Sequence, residues 1–234
     1  MPLQTWPSTA TVPPVRRVGR ADARGWTEPA RALALAVGVG ALLGPLDVAL
    51  KHVLPAPFGH LLNSSPVWAL VAFVVGWCVR ARPVWWPAVA GTVTLLVAVE
   101  TYYLAYVLVR DRDTATLVDA HAVGWLVVGV GAGVVFGTAG AWARQGHPWR
   151  GSAGTATVVG LLLAGAWVEV RRFAGAQEET YRHDSVQAAL VLLVLAGVAA
   201  VLAGRSARQR VAGLALGLPV ALGGVVLAGV LGMA

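Results

Sequence analysis

Seven apolar segments recur along this chain, at about Ala32–Leu50, Pro66–Val79, Val84–Val109, Ala120–Ala143, Thr155–Val170, Ser185–Ala203 and Val211–Leu231. Each is near the roughly 20 residues that a helix needs to cross a bilayer core. Backbone amides inside hydrocarbon find no water, so a spanning segment of this length must satisfy them internally as an α-helix. The expected fold is all-α: a polytopic transmembrane helix bundle of about seven spans over residues 31–234. Residues 1–30 carry five prolines, several arginines and no apolar run, which predicts a disordered, basic cytoplasmic tail. The Arg16-Arg17 pair suggests a twin-arginine signal, but the apolar stretch that follows begins only near Ala32 and is of full spanning length, so no cleavable signal is expected. With 57% hydrophobic residues among 234, nearly all of the chain is consumed by the bundle, and no room is left for a sizeable soluble catalytic domain.

The arginines predict an orientation. With the tail inside, about twelve basic residues fall on the inner side and about six outside, which places the amino terminus in and the carboxyl terminus out of the cytoplasmic (inner) membrane. Nine of the eleven acids lie toward the outer half. The net charge of +7 is thus explained by topology, and no nucleic-acid partner is expected. Cys78 is the only cysteine, and His52, His60, His121 and His183 show no paired ligand spacing. Neither a metal site nor a cofactor is therefore expected. A faint repeat links Ala90-Gly91-Thr92-Val93-Thr94 with Ala153-Gly154-Thr155-Ala156-Thr157, echoed at Arg210-Val211-Ala212-Gly213. The simpler explanation is that small residues at helix starts let hairpins pack closely, and Gly131, Gly133 and Gly137 are expected to form a packing strip of the same kind.

Glu100 is the leading candidate for a functional group. It lies about 6 Å past the middle of the third span at a rise of roughly 1.5 Å per residue, where an acid costs about 2.5–3.5 kcal/mol near the helix centre. It is therefore expected to face the interior, with Tyr103 on its face and Tyr102 and Tyr106 on an adjacent stripe. The tyrosines read equally well as an interfacial belt. Glu169 ends the fifth span and reads either as a surface ion pair with Arg172 or as a second cavity acid. Asp119 and Asp184 are expected to cap helix starts, His121 to share a face with Trp125, and Asp47 to pair with Lys51 one turn on.

Asn63-Ser64-Ser65-Pro66-Val67-Trp68 begins the second span, with Ser65 expected as N-cap, and continues to Ala72-Phe73 and Gly76. In this N-S-x-x-x-W start followed by A-F-x-x-G, the chain resembles a family of small polytopic membrane proteins of GC-rich Gram-positive bacteria, a domain of unknown function. The resemblance extends from about Leu42 through the last span. It implies a membrane location and a helix count, and it carries no catalytic residue.

Three functions remain open. One is an outward-facing acidic and aromatic cavity, lined by Glu100, Tyr102, Tyr103, Tyr106, Asn63, Trp68, Asp119, His121, Trp125 and Glu169, that binds or transports a cationic or amphiphilic small molecule. Another is a membrane-embedded enzyme using Glu100 and Glu169 as acids on a lipid or isoprenoid, in the manner of a terpene cyclase. The last is an accessory subunit whose polar residues join neighbouring helices. The lipid bilayer is the one expected partner in all three, and the oligomeric state is undetermined by sequence.

Overall fold

The computed structural model describes residues 27–230 apart from positions 52, 63, 82, 112 and 146. The greater part of the expected tail, and Asn63, lie outside the described residues. Regular structure among them is helical: α1 (Thr27–Leu50), α2 (Phe58–Leu62), α3 (Ser65–Cys78), α4 (Trp86–Arg110), a 3-10 turn (Thr114–Val118), α5 (Ala120–Arg144), α6 (Pro148–Gly175), α7 (Glu179–Ala203) and α8 (Ala207–Val230). Each of the seven apolar segments forms a helix. Six of these helices are long and apolar enough to cross a membrane, the mark of a multi-pass membrane protein.

The seventh, α3, falls short of a full crossing length. Its 14 residues give about 21 Å at roughly 1.5 Å per residue, against about 30 Å of hydrocarbon. Pro66 fixes its start, and the charge at Arg80 with Pro83 beyond stops it early. Its N-cap is Ser64 rather than Ser65, and the Ser64 hydroxyl donates backward to the Leu61 carbonyl at 2.5 Å instead of accepting from an amide. Asp184 is also corrected: α7 begins at Glu179, where the acidic Glu178 and Glu179 suit the positive end of the helix, so Asp184 lies inside the helix rather than capping it. Asp119 does cap α5, its Oδ1 accepting from Ala122 N at 2.7 Å.

The helices alternate in direction. The α1 glycines advance along α4 in the same sense, Gly40 against Thr94 to Ala98 and Gly44 against Ala98 to Tyr102, so these two run parallel. The same holds for α6 and α8, where Gly213 meets Thr155, Gly217 meets Val159 and Gly224 meets Ala164. In sequence of contact, α1 packs on α4, α4 on α5, α5 on α6, and α6 on both α7 and α8, while α3 lies across α4 and α5. Lipid tails are as apolar as leucine, so such helices associate through close approach rather than through escape from water. Gly76 of α3 stands against the Gly137 backbone of α5, and Gly140 against the Phe73 carbonyl. Gly133 packs on Thr92 of α4, whereas Gly131, expected to share this strip, faces open space. The repeated glycines Gly91 and Gly154 both abut α5, as close packing at helix starts requires.

One end of the bundle is closed by arginines. Arg144 donates to the Val79 carbonyl at the end of α3 at 3.0 Å, Arg205 to the Arg144 carbonyl at the end of α5 at 3.0 Å, and Arg210 to the Gly204 carbonyl at the end of α7 at 2.9 Å. Helix carboxyl termini leave unsatisfied carbonyls and a partial negative charge, and each guanidinium answers both for a helix other than its own or for the preceding turn. Replacing Arg144 with Ala should cost about 1.5–3 kcal/mol, the range for a charged hydrogen bond. Thermal unfolding in detergent, compared with Arg208→Ala as an exposed control, checks this.

Candidate functional site

At the opposite end, five aromatic rings gather where α3, α4 and α5 meet. Trp68 meets Tyr102 edge-on with centroids 5.8 Å apart, Tyr102 meets Tyr103 edge-on at 5.5 Å, and Tyr106 stacks on Tyr102 at 6.2 Å. These pairs follow from helix geometry: Tyr102 and Tyr106 are one turn apart, and Tyr103 turns inward with Val99 onto Ala122. Trp125 completes the set, its indole N–H donating to His121 Nε2 at 3.1 Å across one turn of α5. That bond leaves the other ring nitrogen to carry the proton of neutral His121.

Below these rings lies a cavity of about 610 Å³, within the range of small-molecule sites. Its rim holds Lys51, Ser64, Ser65, Thr116, Asp119 and His121; its walls hold Trp68, Tyr102, Tyr103, Tyr106 and Trp125; its floor is apolar, with Leu95, Ala132, Phe136 and Leu161. His121 and Phe136 are separated by about 22 Å along α5 at ~1.5 Å per residue. This is about half of a bilayer of roughly 40–45 Å with its headgroups. The glycine contacts between α3 and α5, at Gly137 and Gly140, follow just beyond Phe136 along α5.

The expected site residues thus divide. Trp68, Tyr102, Tyr103, Tyr106, Asp119, His121 and Trp125 line the cavity. Glu100 does not. It is exposed on the face of α4 that also carries the exposed Leu104 and Leu108, one residue and about 100° past the lining residue Val99. Glu169 does not line the cavity either: it is buried, 2% exposed, with Oε1 held at 2.7 Å by Arg172. Neither residue lines this cavity, and Glu169 forms the ion pair with Arg172 that is one of its two sequence readings. The one carboxylate on the lining, Asp119, is engaged in capping α5.

The residue that sequence reasoning undervalued is Asp47. Its side chain is 1% exposed, hydrogen-bonded by Trp68 and within electrostatic reach of Lys51. It also lies within electrostatic reach of Tyr102, as Asp119 does of Tyr103. Asp47 therefore stands directly behind the aromatic wall and positions one ring of it. The available signal was an aspartate set in Pro45-Leu46-Asp47-Val48-Ala49-Leu50, apolar on nearly every side. Among the described residues, no group of three or more His, Cys, Asp or Glu side chains could hold a metal ion.

No curated protein and no solved structure matches the chain. A family model does, over residues 23–233, which takes in every helix of the bundle and extends well before Leu42. By that match the chain belongs to a family of unknown function, DUF6518.

Proposed function

We propose that this protein binds, and releases to or from one leaflet, an amphiphile with a compact cationic head and a single hydrocarbon tail. The observation that carries this reading is the polarity gradient of the cavity, aromatic and polar at the rim and apolar at the floor. Electron-rich faces of Trp68, Tyr103, Tyr106 and Trp125 suit a quaternary ammonium through cation–π attraction. The carboxylates Asp47 behind the rings and Asp119 at the rim add negative potential, and Lys51, one turn after Asp47, is held in the field of that carboxylate. A tail on the floor meets only apolar side chains and exchanges one hydrocarbon environment for another. In the orientation of the basic end toward the cytoplasm, the cavity opens outward in the cytoplasmic membrane.

The test is thermal stability of the purified protein in bilayer discs against three amphiphiles with matched tails and different heads: trimethylammonium, sulfate and sugar. The trimethylammonium compound should raise the midpoint most, and Ala132→Trp, which fills the floor, should abolish that rise. Equal shifts from all three heads, or a shift that survives Ala132→Trp, would overturn the proposal.

A further inference from the structure

The basic end offers a second site of different chemistry. Around Gln209, which is 8% exposed, four elements converge: its Nε2 donates toward the Ala143 carbonyl and Thr155 Oγ1, each at 3.4 Å, its Oε1 accepts from Arg205 N at 3.2 Å, and Gly151 of α6 packs on its amide. Arg205 donates to the Arg144 carbonyl and Arg144 to the carbonyl of Val79, next to Arg80, which is in electrostatic range of Arg144, while Arg150 immediately precedes Gly151. Only Glu28 opposes them among the described carboxylates at this end. Like charges gathered without carboxylates repel, and an anion seated among them relieves that repulsion.

Not all of these guanidiniums are spent on helix carboxyl termini. Arg80 and Arg150 donate no hydrogen bond among the described residues, and the Arg150 Nε is buried without a partner. The Arg150 guanidinium lies 5.6 Å from the centroid of Trp149, which meets Trp142 edge-on at 5.4 Å. Trp149 and Trp85 are more than half exposed, as suits rings at the level of lipid headgroups. We infer that this end holds an anionic phospholipid headgroup, its phosphate received by Arg80 and Arg150 with Arg144 and Arg205 behind, and its glycerol region against the tryptophans. Arginine suits phosphate because its planar donors form a fork, and basic pockets between helices on the cytoplasmic side are where anionic lipids bind. The site is independent of the cavity and of the ligand proposed for it.

The experiment is mass analysis of lipid retained by the full-length protein after extraction from vesicles of equal phosphatidylglycerol and phosphatidylcholine, followed by the double variant Arg80→Gln, Arg150→Gln. Wild-type protein should retain phosphatidylglycerol preferentially, and the preference should fall about fivefold for each arginine removed. The double variant Arg171→Gln, Arg182→Gln, with the same loss of charge at the other end, should keep the preference. Arg150→Lys, which retains the charge, should keep most of it. Absence of any wild-type preference would overturn the inference, as would an equal fall in the control pair, which would show net charge alone at work. Inorganic phosphate that displaces the lipid at equal concentration would show a free anion site instead and would overturn it too.

Discussion

A valine at Gly140 should leave little folded protein, while a valine at Gly131 on the same helix should be tolerated. A side chain at Gly140 would enter the Phe73 carbonyl and come within 2.7 Å of the Trp77 amide. Both are backbone atoms of α3, so no rotamer change relieves the clash and the two helices must separate. Overpacking in a core costs about 1–3 kcal/mol where side chains can yield, and here the cost should reach or exceed the top of that range. The glycine contacts of α3 with α5 are also much of what fixes this short helix. At Gly131 nothing lies within 4 Å, and replacing a helical glycine gains a few tenths of a kcal/mol in propensity. Monodisperse yield and thermal midpoint of the two variants in detergent decide the matter. Equal behaviour would show that close packing of α3 on α5 is not what holds the bundle.

That contrast was partly legible in the sequence. Helical periodicity puts Gly133, Gly137 and Gly140 on one stripe at i, i+4 and i+7, and turns Gly131 to the far side, two residues from Gly133. Grouping glycines by proximity along the chain instead of by face misplaced it. Helix ends fared well where an apolar run meets a charge, as at Arg110 and Arg144, because hydrocarbon and headgroup impose the boundary. They fared less well at α6 and α7, which begin at Pro148 and Glu179 in polar sequence. There the helix is set by proline at its first turn and by acids at its positive end, signals that hydropathy does not see. α2 and the turn at Thr114–Val118 are too short to show a period at all.

The site shows a different limit. The α4 stripe Leu95, Val99, Tyr102, Tyr106 is an ordinary 3.6-residue face, and Tyr103 adjoins it. Glu100 falls off that stripe by one residue, and the argument that an intramembrane acid must turn inward overrode the periodicity. Asp47 met the opposite fate: a lysine one turn on made it look like a surface pair, and Trp68, which holds it, is 21 positions away and reached only through tertiary packing.

The two acids should therefore exchange the roles that sequence assigns them. Asp47→Ala should weaken binding of the trimethylammonium amphiphile by roughly 5–150-fold, because it leaves the Trp68 indole N–H without its acceptor, a loss of about 1–3 kcal/mol. Without that bond the indole rotates away from its edge contact with Tyr102, and Lys51 loses the carboxylate that offsets its charge beside the cationic head. Asp47→Asn keeps a carbonyl acceptor for Trp68 but removes the negative charge, so its loss should fall between wild type and Asp47→Ala. The order of the three separates positioning from electrostatics: Asn near wild type assigns the role to Trp68, and Asn near Ala assigns it to charge. Glu100→Gln should leave affinity unchanged, since Glu100 stands on the exposed face of α4 and off the cavity lining. Titration of each folded variant by the ligand-dependent shift in thermal midpoint gives the comparison, and a larger loss from Glu100→Gln than from Asp47→Ala would place the binding site elsewhere than this cavity.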